Sequence, residues 1–346
     1  MNEKESEIRA AFRQQAEFCR TMKSPLTASI LDTIAEKLSG DTAIGRRLFA
    51  WEGDPSSGAD NVTLRLSGGL HALARSGEDE ALSAAYVGEG DIAEAVASAL
   101  VDHDATLETW LDSPPQTNEV GRAAAVMAGL MVAASRHELP FDLLELGASA
   151  GLVLNLARYR YDLGGLEAGE LTSPLLLAPE WKGNPPPDSD VTIVTQRGVD
   201  LSPVYLSDPA AVERLIAYVW PDQPERIARV EIAIGLARAF PPAIVPGRAG
   251  DWLETRLARP AAEGVMRIVF HTIAFQYFPV EEQQRVRAAI EQAGAEATET
   301  RPLGWLSLEM NKAKTACELR LKLWPSGEEI HLANAHPHAT WIDWLA

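Results

Sequence analysis

The 346 residues are 46 % hydrophobic and 23 % charged, the make-up of a folded globular protein long enough for two units or for one large domain with an added cap. A formal net charge of −18 sets the chain against a phosphate backbone, so no nucleic-acid partner is expected and a small-molecule substrate is favoured. Its two cysteines, Cys19 and Cys317, form neither a disulfide framework nor a zinc ligand set, and they read as small buried hydrophobes rather than nucleophiles.

The opening MNEKESEIRA lacks the apolar stretch of a secretory signal, and no run reaches 18 uninterrupted apolar residues. The expectation is a cytoplasmic protein with no membrane partner. Ile8, Phe12, Phe18 and Cys19 suggest a first helix. In SPLTASILDTIAEKL, Leu26, Ile30, Leu31, Ile34 and Leu38 share one helical face. Ser24 is a natural N-cap there, Pro25 suits the first helical position, and Gly40 stops the run. Residues 51–61 read as a loop, and residues 68–73 and 92–101 as two more helices. No strand pattern occurs in this part. Residues 1–113 are therefore expected to form an all-helical cap, and residues 114–346 an α/β domain.

PPQTNEVGR is a turn-rich lead into a helix ending near His137. FDLLEL (141–146) is a short apolar run between Pro140 and Gly147, the pattern of a buried parallel strand, and LVLNLARYRY is expected to be the helix that follows. A strand end is expected in RGVDLSP (197–203), and then two helices separated by Pro221. PAIVPGRAGDWLETRLA runs from strand through turn to helix, and VMRIVFHTIAF (265–275) is a strand. Beyond Pro279, Val286, Ala289, Ile290 and Ala293 mark one helix face, with Glu281 and Glu282 suited to the N-terminal dipole and Gly294 to the C-cap. LGWLSLEM is the next strand. ELRLKLW alternates strictly and turns at PSG into EEIHLANA, an antiparallel hairpin. Strand–helix alternation closing on a hairpin predicts a mostly parallel, doubly wound sheet with a mixed edge.

LLELGASAG (143–151) joins the first strand to the next segment with the spacing acid-x-Gly-x-x-x-Gly, carried by Glu145, Gly147 and Gly151. Glycines at such a turn let the main chain bend tightly and let a ligand approach it. A carboxylate two residues earlier suits a ligand with a positive end and repels a pyrophosphate. The NAD spacing, with one residue between its first two glycines, fits worse, which sets aside an NAD-dependent oxidoreductase.

This turn resembles motif I of class I S-adenosylmethionine (SAM)-dependent methyltransferases, with Ser149 where many have a middle glycine. That resemblance implies a Rossmann-like class I methyltransferase fold and SAM as cofactor. It also implies roles for later segments. Asp200 in GVDLSP matches the acid that holds the ribose hydroxyls, though about 49 residues separate it from Gly151, against roughly 20 in a compact unit. Asp251 and Trp252 in GRAGDWL match the acid and the apolar residue that meet the adenine. PPQTNEVGR, LLELGASAGLVLNLARYRYDLGG, YVWPDQPERIARV and AHPHATWIDWL together resemble a bacterial family known as a domain of unknown function, with Val153 where that family usually carries asparagine.

Each candidate has a structural alternative. Glu145 binds ligand or caps the turn. Asp200 binds ribose or caps the turn before Pro203. Asp251 meets adenine or N-caps WLETRLA. His271, near the end of a strand, accepts a proton from the methyl acceptor or is a core histidine bonded to backbone. Asn118, Glu119 and Arg122 face a ligand or simply start a helix. Tyr159 and Arg160 contact substrate, or Arg160 forms an ordinary surface ion pair. His336 and His338 share a strand face but lack a third ligand, so no metal is expected. Two functions follow: a SAM-dependent methyltransferase acting on a small molecule, with the helical part as a substrate-selecting cap, or a non-catalytic ligand-binding or regulatory protein on the same fold.

Overall fold

A computed structural model describes residues 3–346, and the chain divides into two compact units. One holds the chain up to Thr117 together with Ser207–Ala228, and the other holds Asn118–Leu206 and Arg229–Ala346. No helix among the described residues is long and apolar enough to cross a membrane.

Seven helices come first: α1 (Glu3–Thr21), α2 (Pro25–Lys37), α3 (Ala43–Phe49), α4 (Val62–Ser76), α5 (Glu80–Tyr86), α6 (Ile92–Asp102) and α7 (Asp104–Glu108). α1 buries Ile8, Phe12, Ala16 and Cys19 along one stripe, whereas Phe18 falls off it and is half exposed. α2 starts at Pro25 and buries Ile30, Leu31 and Ile34, as the apolar spacing requires.

The chain continues through α8 (Arg122–His137), β1 (Phe141–Leu146), β2 (Arg160–Asp162), β3 (Glu167–Gly169), β4 (Leu176–Leu177), β5 (Glu180–Lys182) and β6 (Ile193–Asp200). It then forms α9 (Pro209–Ala217), α10 (Pro224–Ala239), β7 (Ile244–Pro246), α11 (Ala249–Leu257), β8 (Met266–Thr272) and α12 (Val280–Ala295). It ends with β9 (Leu303–Met310), β10 (Cys317–Trp324), β11 (Glu329–Ala335) and β12 (Trp341–Trp344).

Ser207–Ala228 joins the helical unit through polar anchors. Asp222 caps α2, accepting from the Leu26 N–H at 2.8 Å and from the hydroxyls of Ser24 and Thr27. Ser24 therefore occupies the N-cap position while its hydroxyl serves Asp222 rather than the helix amides. Arg214 lies 4.3 Å from the Trp110 ring centroid and donates to the Trp110 carbonyl, and His71 bonds the Ala217 carbonyl at 3.0 Å.

Nine strands form the large sheet, in the order β5-β12-β11-β10-β9-β8-β1-β6-β7. β7, β6, β1, β8 and β9 are parallel, and among these five the order by sequence is 3-2-1-4-5, the doubly wound arrangement. The order reverses between β1 and β8. The expected hairpin is β10–β11, extended by antiparallel β12, which pairs in parallel with β5. β1 is buried throughout, as its unbroken apolar run requires. Leu144, Leu146, Val199 and Val269 pack under Leu253 of α11 and Val286 and Ile290 of α12. α8 covers the opposite face, where Leu306 fills the space beside Gly129.

Two local expectations fail for identifiable reasons. LVLNLARYRY forms turns, one short 3-10 segment (Leu156–Arg158) and the start of β2 instead of an α-helix. The Tyr159 and Tyr161 hydroxyls donate at 2.6 Å to the Leu152 and Leu156 carbonyls, and the Leu152 N–H donates to Asn118 Oδ1. The two carbonyls, which a helical ladder would use, are thus taken by the tyrosines. The chain then enters the small β3-β2-β4 sheet and reaches β5 before returning at β6, which fills the long gap before Asp200. Second, Gly294 lies inside α12 rather than past its end. A Cβ there would stand 2.4 Å from the Trp324 ring, so close packing requires the glycine.

Candidate functional site at the carboxyl ends of β1, β6 and β8

β1 delivers Glu145 and the turn 147–151 to the carboxyl edge of the sheet, beside the strand-order reversal where open α/β sheets bind ligands. Gly147 and Gly151 take φ of +72° and +73°. A Cβ at Gly147 would stand 2.6 Å from the Ala274 Cβ, and one at Gly151 2.6 Å from Pro242 Cγ. Both glycines are needed on conformation and on space. Ser149 adopts φ 51°, a left-handed backbone in which a middle glycine would be unstrained.

The turn amides are occupied. Gly147 and Ala148 donate to the Val199 carbonyl at 2.9 and 3.1 Å, and Gly151 donates to Ala148. The Ser149 N–H donates to Asp200 Oδ2 at 2.8 Å, while Asp200 Oδ1 accepts from the Ser202 N–H at 2.9 Å. Asp200, the last residue of β6, is thus held against the glycine turn by two backbone donors.

Glu145 is 1 % exposed, and its Oε2 has no hydrogen-bond partner. Burial raises its pKa well above the ordinary value and the nearby Asp200 carboxylate raises it further, against the Leu154 backbone N–H and Arg122, which lower it. Its environment therefore favours the protonated form. The Ser149 hydroxyl is also buried without a partner.

A cavity of about 160 Å³ adjoins the turn, lined by Gly147, Val199, Asp200, Leu201, Ala249 and Phe278 among others. Asp251 and Trp252 are not in this lining. α11 begins two residues before Asp251, which is exposed and pairs with Arg285 at 2.8 Å, so it does not N-cap the helix. Trp252 packs against the apolar layer beneath α11 and α12. The acid serving the α11 start is the buried Glu282, which accepts from the Gly250 N–H at 2.8 Å and lines the same cavity. Sequence reading gave Glu282 to the dipole of its own helix. Its partner lies 32 residues upstream, where no local pattern connects them.

Asn118, Glu119 and Arg122 are all buried. Asn118 holds the turn through the Leu152 N–H at 2.7 Å, and α8 starts beyond it at Arg122, with Gly121 as the N-cap. Glu119 accepts from the Gly121 N–H and lies 3.6 Å from Arg229. Arg122 donates to the carbonyls of Thr272 and Pro337, both at 3.0 Å, joining the end of β8 to the AHPHATW loop. Tyr159 is fully buried on the Leu152 carbonyl, and Arg160 pairs with Glu167 at the surface of the small sheet.

His271 belongs to a different cavity. Its Nδ1 lies 2.7 Å from Glu309 Oε1, and its Nε2 accepts from the Trp305 indole N–H at 3.0 Å. Because an indole can only donate, this arrangement has Nε2 accepting and Nδ1 turned to Glu309. Burial would raise the Glu309 pKa, but the hydrogen bonds from His271 and from the Ala274 and Phe275 amides outweigh it and leave Glu309 below its ordinary value. Glu309 and Trp305 escaped the sequence reading. The signal was the alternation in LGWLSLEM, where Trp305, Ser307 and Glu309 share one face and Leu306 and Leu308 the other.

The model of a family described as an uncharacterized protein conserved in bacteria (DUF2332) matches residues 9–344. The chain belongs to this family. No curated protein and no solved structure matches it. The match spans both units. In the structure Asn118 reaches Leu152, just past the glycine turn, and Arg122 reaches Pro337 in AHPHATW.

Proposed function

We propose that the sheet unit binds the adenosyl part of S-adenosylmethionine at the carboxyl edge of β1 and β6, and that the protein transfers a methyl group to a small molecule. The observation that carries this reading is Asp200, held by the Ser149 and Ser202 amides on the wall of the cavity beside the glycine turn. A carboxylate is the group that accepts from the two vicinal hydroxyls of a ribose. Val199, Leu201, Ala249 and Phe278 supply apolar walls for a flat base.

At about 160 Å³ the cavity is smaller than the roughly 300–1,000 Å³ of sites that enclose a whole ligand, so its residues fit the nucleoside half of the cofactor. When bound, the cofactor supplies a methyl group on a positively charged sulfur. Asp200 orients the ribose, the apolar walls exclude water from the base, and the buried Glu145 shapes the floor of the turn.

One observation favours the second reading, a ligand-binding protein without catalysis. His271 Nε2 already accepts from Trp305 and has no lone pair left for an incoming acid. Calorimetric titration with SAM and S-adenosylhomocysteine, followed by transfer of a labelled methyl group, tests both. Micromolar binding abolished by Asp200→Ala is the expected result. Binding without transfer to any acceptor selects the second reading, and no binding of either ligand to folded protein rejects the methyltransferase reading and leaves a ligand of another class for the same fold.

A further inference from the structure

We propose that the cavity beside α12 is a binding site for a small organic carboxylate with a flat apolar body, its carboxylate taken by Arg287. The cavity lies on the face of β8, β9 and β10 that carries His271, Trp305 and Ser307, and has a volume of about 420 Å³, within the range that encloses a small ligand.

Charge bookkeeping singles out one residue. Lys322 is paired with Glu291 at 2.7 Å, and Arg320 with Glu318 at 2.9 Å and Glu329 at 3.6 Å. Glu309 is used by His271 and by the amides of Ala274, Phe275 and Gln276. Arg287 has no carboxylate within ion-pair distance among the described residues. Its guanidinium carbon sits 4.9 Å from the Phe275 ring centroid and 5.4 Å from that of Trp305.

A guanidinium held by rings still has its in-plane donors, which match the two oxygens of a carboxylate. In a protein of net charge −18, an exposed arginine lodged on two rings without a counter-ion is poised for an anion from solution. Ser307 adds a second donor. It lies on β9 in register with His271 on one side and Arg320 on the other, and its hydroxyl makes no hydrogen bond among the described residues. Phe275, Trp305 and Met310 provide the apolar wall beside these donors, which selects a planar apolar body over a bare oxyanion.

The proposal stands apart from methyl transfer, because binding alone is read. Benzoate is titrated into the full-length protein while the Trp305 indole N–H signal, assigned through Trp305→Phe, is followed by NMR. A saturable shift is expected, with a dissociation constant on the order of millimolar for so small a probe. Benzamide, of the same shape without the charge, should bind at least tenfold more weakly, and inorganic phosphate should leave the signal unmoved. Arg287→Gln should weaken benzoate at least tenfold, and Arg287→Lys, which keeps the charge without the fork, should fall between. Arg287 is exposed on α12, so an unchanged thermal melt is expected for both variants. Should either variant melt early, the benzoate–benzamide comparison on the unaltered protein decides. Equal binding of benzoate and benzamide, phosphate binding as tightly, benzoate binding indifferent to Arg287→Gln in folded protein, or no saturable shift would each overturn the proposal.

Discussion

Replacing Glu145 by glutamine should change how stability depends on pH. The native carboxyl is buried, one oxygen has no partner, and its pKa is raised well above the ordinary value of 4.5, first by burial and then by Asp200. In the unfolded chain the same group loses its proton near pH 4.5. Above that pH the native state binds one proton more than the unfolded state, so stability falls as pH rises. The slope approaches about 1.4 kcal/mol for each pH unit until the native carboxyl itself ionises. The contribution is thus fully present below pH 4.5 and is lost as pH rises through the native pKa. Glu145→Gln keeps the shape and removes the proton. Urea unfolding of both proteins at a series of pH values above 4.5 should show the variant gaining on the parent as pH rises. Parallel profiles would refute the reasoning and mean that Glu145 is charged and paired in the native protein.

Ser149→Gly should raise the melting temperature by a few degrees, because it relieves a left-handed serine, at on the order of 1 kcal/mol, and removes an unpartnered buried hydroxyl. A lower melting temperature would mean that the hydroxyl has a partner worth more than the strain. Burial pushes the thiols of Cys19 and Cys317 up to about 12, so native protein at pH 8 should resist iodoacetamide while both cysteines label in denaturant. Rapid labelling of the native chain would show that one of the helices or strands carrying them opens readily.

Runs with a single structural solution were legible from sequence. FDLLEL, a short apolar run between Pro140 and Gly147, is a buried strand as read, and the strictly alternating ELRLKLW is half of a hairpin. The glycine turn was legible because both glycines answer a steric demand that no other residue meets. The helix expected after Gly151 failed because Tyr159 and Tyr161 take carbonyls that its ladder would use, a competition invisible to periodicity. The apolar spacing of Leu152, Leu154 and Leu156 is equally served by a buried turn. The N-cap reading of Asp251 failed for a related reason. A carboxylate can cap a helix from far along the chain, as Glu282 does for α11 and Asp222 does for α2. His271 was found as a residue, but its state depends on Glu309 and Trp305, more than 30 residues away.

Hydrogen exchange with and without S-adenosylhomocysteine tests the central claim most directly, because it reports whether the ligand binds and where. The account predicts slower exchange in peptides covering the glycine turn, residues 143–152, and the end of β6, residues 198–202, whose amides converge on Asp200. Peptides through β9 should be unchanged. Unaltered exchange across the whole chain at saturating ligand, or protection confined to other segments, would contradict it.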